Sequence, residues 1–487
     1  MPKEDYLVTI GLEVHCQLRT ASKMFCGCPV RYGDEPNTLT CPVCLGLPGA
    51  LPVLNAGAIE GTILAGMCLG CSTPPLVKWD RKSYFYPDMP KNYQTTQFDL
   101  PLCLGGGVPL YEAAYPKDWQ KKIVRPNHTI GLTRIHLEED VGKSTHQAAY
   151  STLDFNRAGT PLMELVSEPE IESAEEAVAY ISSLRQILIY ADLSDADMEK
   201  GQMRCDVNIS LRPHGQEKLG AKIELKNLNS VSAIRRAIHH EIGRQSEELD
   251  LGIPQVQSTR RWDDERGETA IMRTKEDAHD YRYLPCPDLL PLHTADLIAA
   301  ARKRVPELPH EKRARFVNEG GLTEYDAGVL ASEKALADYF EAAATGAGKP
   351  KTIANWIIND LLSALNAASL TFSENPVSAA HLRELAALVD DGKINNAQAK
   401  EVFTELFATG AAPAQIVKTK GLEQVSDTGF LDEIITQVLA ANADAVEKIK
   451  AGNDKAINAL KGQVMKLSQG KANPKVVGDL LEARLKG

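Results

Sequence analysis

Four short stretches of this chain alternate aliphatic residues with residues able to hold cations or anions. In Tyr6–Leu18, Val8, Ile10, Leu12 and Val14 alternate with Thr9, Gly11, Glu13 and His15. Ile135 and Leu137 stand against Arg134, His136 and Glu138, with Glu139 and Asp140 following. Met203, Cys205, Val207 and Ile209 alternate with Arg204, Asp206, Asn208 and Ser210, and Ile223 and Leu225 with Lys222, Glu224 and Lys226. Period-two alternation sends the two sets to opposite faces of a strand. The polar face is then either a solvated sheet surface or a site. Glu13, His15, Glu138, Glu139, Asp206 and Glu224 offer the oxygen and imidazole donors that hold divalent cations, while Arg204, Lys222 and Lys226 could meet phosphates. A face carrying both sets suits Mg²⁺–nucleotide chemistry, in which metal and fixed cations neutralise a transferring phosphoryl group.

Common nucleotide motifs are missing. Gly142-Lys143-Ser144 has Leu137 where a phosphate loop needs its first glycine, and it follows an acidic strand instead of preceding a clear helix. There is no G-x-G-x-x-G and no G-x-S-x-G. If ATP is used, its binding mode is not a common one.

The cysteines supply a second pattern. Cys26-x-Cys28 and Cys41-x-x-Cys44 flank 12 residues that include Gly33, Asp34, Pro36 and Asn37. Two close pairs bridged by a turn-rich loop can present four thiolates tetrahedrally, as Zn²⁺ prefers, and four thiolates leave no open position for catalysis. The alternative is four reduced thiols. Cys68 and Cys71 also read C-x-x-C, but they lie in or beside the apolar run Ile63–Gly70 and read as buried thiols.

The elements that must position these residues follow from composition. A length of 487 residues sets a prior of two to four domains of about 150 residues. The chain is 43% hydrophobic and 24% charged, which excludes a disordered, collagenous or disulfide-stapled protein. No run reaches the roughly 18 apolar residues of a membrane span, and Met1–Asp5 lacks the look of a signal or transit peptide. The plain expectation is a cytoplasmic protein, whose ten cysteines are metal ligands or buried thiols. All ten lie at or before Cys286, and 21 of 27 prolines fall within 1–293. Beyond His293 helical spacing takes over, as in Leu382, Leu385, Leu388 and Val389. The expectation is an α+β fold: a large antiparallel-sheet domain over 1–293, a helical domain over 294–410 and a small helical tail over 411–487. Gly346, Gly348 and Pro350 mark a loop, and Gly410-Ala-Ala-Pro413 a break.

Phrases across the chain carry a family resemblance. Ile10-Gly-Leu-Glu-Val-His15, Tyr84-Phe-Tyr-Pro-Asp88, His136-Leu-Glu-Glu-Asp140, Asp154-Phe-Asn-Arg-Ala-Gly-Thr-Pro161 and Met203-Arg-Cys-Asp-Val-Asn208 follow in order. Glu224-Leu-Lys-Asn-Leu-Asn-Ser230, Tyr281-Arg-Tyr-Leu-Pro285 and Gly470-Lys-Ala-Asn-Pro474 complete the set. Together they resemble the B subunit of glutamyl/aspartyl-tRNA amidotransferase, from about residue 6 to the C-terminus.

The resemblance implies a cradle-like α+β domain with the kinase and transamidase site, then a helical domain and a tail that bind tRNA. It implies a heterotrimer with an amidase (glutaminase) subunit and a small third subunit. Such a complex converts Glu-tRNA(Gln), Asp-tRNA(Asn) or both to the amidated forms. ATP and Mg²⁺ phosphorylate the side-chain carboxylate, and ammonia channelled from the amidase displaces phosphate. By the family pattern Glu13, His15, Glu138, Glu139 and Glu224 match the Mg²⁺ positions, with Asp206 and Arg204 as neighbours. Lys82, Tyr84, Tyr86 and Lys91 lie in a motif that either contacts ATP or the aminoacyl end, or packs as an aromatic loop on the core. The paired cysteines resemble a structural zinc site found in part of the family. The chain lacks the Gly/Ser-rich Ser–cis-Ser–Lys machinery of an amidase, so glutamine hydrolysis belongs to a partner.

Net charge is −11, which alone argues against wrapping nucleic acid. Residues 451–487 differ, with seven basic residues (Lys455, Lys461, Lys466, Lys471, Lys475, Arg484, Lys486) against Asp454, Asp479 and Glu482. That segment is either a solvated face or, under the resemblance, the part that grips tRNA. Two rival readings are a non-catalytic tRNA-binding zinc scaffold and an amide ligase for a small free carboxylate. Intact Glu13, His15 and Glu138 oppose the first; the absence of recognised synthetase motifs and the basic tail oppose the second.

Overall fold

Alternating strands need their aliphatic face covered, and in the computed structural model helices cover it. The structure describes residues 6–125, 127–274, 281–422, 428–450, 456–468, 472 and 474–486. The chain divides after Glu311 into two compact units.

The first unit is built on a nine-stranded sheet. Its long members are β1 (Tyr6–Gln17), β4 (Thr129–Glu139), β5 (Pro161–Ser167) and β6 (Met203–Pro213), with β7 (Ile223–Lys226), β8 (Ser258–Asp263) and β9 (Glu268–Thr274) toward one edge. The order is β9-β8-β7-β6-β1-β5-β4, closed by the short strands Cys103–Leu104 and Gly107–Pro109, both on β4. All pairs are antiparallel except β7 with β8. A parallel pair cannot be joined by a tight turn, and here α3 (Val231–Asp250) lies in the connection. A smaller sheet joins β2 (Asp80–Ser83) to β3 (Tyr93–Thr96) and to β10 (Leu284–Pro285).

Ile10, Leu12, Val14, Ile135, Val207 and Leu225 are buried in one core. Above them lie α1 (Ala56–Cys68), α2 (Ala174–Tyr190) and α3, with α2 against α3, α3 on β6 and β9, and α1 on β4. Each helix starts on a side-chain cap: Asn55 accepts from Ala58 N, Ser173 from Glu176 N and Ser230 from Ala233 N. Such caps contribute about 1 kcal/mol each. Between β7 and the Ser230 cap, Asn227 takes the left-handed conformation (φ 66) and its Nδ2 donates to Trp262 O at 2.9 Å. That turn aims α3 back over the apolar face. The opposite face carries none of these three helices and is open to the site.

The last described strand is Leu292–His293, after which helix Ala295–Arg302 still packs on α1. The second unit is helical. Leu382, Leu385 and Leu388 are buried on helix Ala379–Asp390, as their spacing predicts, while Val389 is half-buried. Pro350 opens one helix, Gly410 closes another in the left-handed conformation, and Pro413 opens the next. Helix Pro413–Lys420 packs on Ala379–Asp390 and Asn396–Thr409. A separate apolar cluster that includes Leu431, Ile435, Leu460, Val464, Val477 and Leu481 unites the C-terminal helices. There Arg484 pairs with Asp432 and donates to Thr436 Oγ1 at 2.7 Å. Asp454, Lys455, Gly470, Lys471 and Asn473 lie outside the described residues. No described helix is long and apolar enough to cross a membrane.

Candidate active site

The polar residues of the open face form cross-strand rows. His15 on β1 is opposite Arg204 on β6 and Glu164 on β5, and Glu164 is opposite His136 on β4. Glu13 is opposite Asp206. Asn208, Glu224, Thr259 and Arg273 make a third row across β6, β7, β8 and β9. Directly opposed residues bring their Cβ atoms to about 5 Å, so the register assembles the site. These rows floor a cavity of about 420 Å³. Its carboxylates are Glu13, Glu138, Glu164, Asp206 and Glu224, and its fixed cations are Lys82, Arg134, Lys222, Lys226 and Arg273.

Glu164 is its electrostatic centre. Its Oε2 lies 3.2 Å from His15 Nε2 and 3.2 Å from His136 Nε2. Burial opposes a charge on Glu164, but the two imidazoles outweigh it and hold the carboxyl well below its ordinary range. Burial would also favour a neutral His136, yet Glu164 and Glu138 push its pKa up to about 9. Glu138 accepts from Thr96 Oγ1 at 2.9 Å. On the other side Lys226 pairs with both Asp206 and Glu224, whose charges overcome its burial and raise its pKa. Lys82 is likewise held charged: burial works against it, and Glu138 and Glu164 prevail.

The expected site residues do not all meet. Glu13, His15, Glu138, Asp206, Glu224 and Lys82 line the cavity; Arg204, Glu139, Tyr84, Tyr86 and Lys91 are not among its lining residues. Arg204, although in the first row, donates instead to the buried Asp140 at 2.9 Å. Glu139 pairs with Lys91 and accepts from Thr95 N at 2.9 Å, one position out of phase with Glu138. The Lys91 ammonium also sits 5.1 Å from the Tyr93 ring. Tyr84 and Tyr86 form a tilted pair, 5.9 Å between centroids. Glu164 escapes sequence reasoning because Pro-Leu-Met-Glu-Leu-Val-Ser reads as a buried strand; its one charge gains meaning only from the register with His15 and His136. Arg273, Phe98, Tyr281 and Tyr283 also line the cavity without carrying a strand-face pattern.

The four paired cysteines converge: each offers a sulfur, and these atoms lie within 4.8 Å of one another. A thiol hydrogen bond from Cys26, helped by the Cys41 backbone and Lys23, lowers the Cys44 pKa to about 4. Cys26 is raised by the same bond, and burial pushes Cys28 up to about 11. The buried Lys23 ammonium lies 3.6 Å from Cys44 Sγ and donates to Leu39 O at 2.7 Å. A tetrathiolate metal centre carries surplus negative charge, which such a lysine offsets. Cys68 is buried and Cys71 half-buried, and burial raises their pKa values to about 11 and about 12.

The cavity floor also fits a cation. His15, Glu138 and Glu164 offer ligand atoms within 4.8 Å of one another. Nearby, Asn208 Nδ2 donates to Glu13 at 2.8 Å, while its buried Oδ1 has no partner among the described residues. Hard oxygen donors with one imidazole suit Mg²⁺ or Mn²⁺. Glu164→Gln should therefore weaken Mn²⁺ binding about tenfold or more, measured by electron paramagnetic resonance; unchanged affinity would exclude Glu164 from the centre.

Comparison with known proteins agrees with this architecture. Residues 8–299 match the family model described as the GatB/GatE catalytic domain, and 338–485 match the GatB domain. Relatives are B subunits of aspartyl/glutamyl-tRNA(Asn/Gln) amidotransferases. The chain is 52% identical over 484 residues to the one from Methylacidiphilum infernorum, covering 99% of each. It is 50% identical over 484 residues to the one from Persephonella marina (99% of this chain, 100% of the relative), and 51% over 486 residues to the one from Opitutus terrae (99% of each). An amide-forming enzyme fits a sheet face that balances carboxylates against fixed cations, and the chain belongs to the family of amidotransferase B subunits.

Proposed function

We propose that this chain phosphorylates the side-chain carboxylate of Glu-tRNA(Gln), Asp-tRNA(Asn) or both with ATP, and then replaces the phosphate with ammonia. The observation that carries this reading is the cavity, whose lining includes five carboxylates and five fixed cations. A divalent cation at His15, Glu138 and Glu164, beside Glu13, Asp206 and Glu224, would withdraw charge from the transferring phosphoryl group.

The chain's own residues do the rest by position. A carboxylate resists ammonia because oxide is a very poor leaving group. Its oxygen attacks the γ-phosphorus, ADP departs, and an acyl phosphate forms. Ammonia then adds at the carbonyl carbon; phosphate leaves with the C–O bonding electrons, and a proton is lost from nitrogen. Lys82 and Lys226 line the cavity and, held charged by their carboxylate neighbours, would meet phosphate oxygens. Lys222 is half in solvent and 4.0 Å from Glu13, free to follow the nucleotide. Arg204 acts indirectly, fixing Asp140 and through it Gln17, which donates to Asp140 at 2.9 Å. Glu139 and Lys91 brace the same end of β4, and Tyr84 and Tyr86 remain proposed contacts for ATP or the aminoacyl end. The cysteine cluster is assigned a structural Zn²⁺, because four thiolates fill its tetrahedron.

The proposed partners follow from the family the chain belongs to. Ammonia must come from a glutaminase subunit, within a heterotrimer completed by a small third subunit. Residues 411–487 form the proposed tRNA-contacting tail. Of its basic side chains, Lys466 is exposed, whereas Arg484 pairs with Asp432.

Three outcomes test this reading. With Glu-tRNA(Gln), ATP and ammonium, the full chain should form Gln-tRNA(Gln), and Glu13→Ala should lose activity by about 100-fold or more; amidation from glutamine with no partner present would contradict it. Metal analysis should find one Zn²⁺ per chain, lost in Cys41→Ser with a lowered melting temperature. Deleting residues 411–487 should weaken tRNA binding and spare ATP binding in equilibrium titrations.

A further inference from the structure

The motif Tyr281–Pro285 is not used by the phosphoryl chemistry, yet it reaches the cavity. Tyr281 and Tyr283 line the cavity wall with Phe98. The Phe98 and Tyr283 rings are stacked, 4.3 Å between centroids and 15° between planes. Tyr281 stands edge-on to Tyr283 at 6.3 Å, with the Lys82 ammonium 4.9 Å from the Tyr281 ring. Despite the stacking, Phe98 is 58% exposed and Tyr283 37%. Water-facing aromatic surface at the mouth of a charged cavity marks a place for a ligand with its own apolar face.

The pair is held firmly. Phe98 N donates to the buried Asp80 at 3.1 Å. The preceding Gln97 is buried, and its Oε1 accepts from Leu102 N at 3.2 Å and Leu137 N at 3.1 Å. Tyr283 adjoins β10, in which Leu284 is opposite Arg81 and Pro285 opposite Asp80. Both rings are thus anchored to β2, the strand that carries Lys82 into the cavity. A stacking surface prepared in this way loses little entropy when a planar ring settles on it.

We propose that the Phe98–Tyr283 pair is an adenine-stacking platform. The inference rests on the function proposed above, since both substrates named there bring adenine near the reacting phosphate: ATP by its base, aminoacyl-tRNA by its 3′-terminal adenosine. Aromatic stacking asks only for a π-face and needs no hydrogen-bond reader.

The test is equilibrium binding to the full chain in Mg²⁺ buffer, with two ligand pairs. ATP is compared with inorganic tripolyphosphate, and intact tRNA with tRNA lacking its terminal adenosine. In at least one pair the adenine-bearing member should bind about 5- to 150-fold more tightly. Phe98→Ala should erase that preference and Phe98→Trp retain it; the exposed position makes misfolding a minor concern. Preference in the ATP pair assigns the platform to the nucleotide, and preference in the tRNA pair assigns it to the acceptor end. Absence of preference in both, or a preference that Phe98→Ala leaves intact, overturns the proposal. Amidation by the wild type is scored separately: its failure with the preference intact counts against the function and leaves the platform standing.

Discussion

A carboxylate buried in the middle of a sheet must be compensated where it stands, and Glu164 sets that demand here. It lies on β5 between β1 and β4, within reach of one imidazole from each. Removing one partner from such a buried pair costs about 3–5 kcal/mol, because the remaining charge is stranded. The neighbouring rows obey the same rule: Lys226 bridges Asp206 and Glu224, and Arg204 with Arg157 compensates Asp140. The result is a floor whose charges are balanced yet close together. Extra positive charge entering it, as the proposed cation, would turn it into a receiver for phosphate.

The helices explain why this face stays available. Apolar side chains of β1, β4, β6 and β7 commit one surface to α1, α2 and α3, which leaves the other surface clear of them. The small sheet of β2, β3 and β10 contributes Lys82 and adjoins the segments carrying Phe98 and Tyr283. Floor and wall therefore come from different sheets, each internally hydrogen-bonded.

Much of this was legible in the sequence. Strict alternation identifies β1, β6 and β7 and selects Glu13, His15, Asp206 and Glu224, since a strand leaves no freedom about which face a residue joins. The convergence of the paired cysteines is legible because two close pairs joined by a turn-rich loop can bring four sulfurs together. Glu139 illustrates the limit: its carboxylate is of the expected kind, but β4 turns it toward Lys91 and Thr95. Arg204 lies on the expected face yet is drawn to Asp140. Glu164 and Arg273 depend on pairings between strands far apart in the chain, and local pattern cannot reveal those. Whole-chain charge likewise misleads, since −11 averages a carboxylate-rich first unit with a basic final segment.

The register of β1 against β6 extends without a break from Tyr6 opposite Pro213 to Cys16 opposite Met203. Inserting or deleting a single residue inside either strand would turn that strand's floor residues beyond the change to the apolar face and bring its aliphatic side chains to the floor. The reacting centre therefore cannot be adjusted by loop length, the means by which many enzymes acquire new substrates. Under the proposed function, a change in what this protein accepts would be made more readily at the wall, where Phe98 and Tyr283 lie outside the rows of the floor.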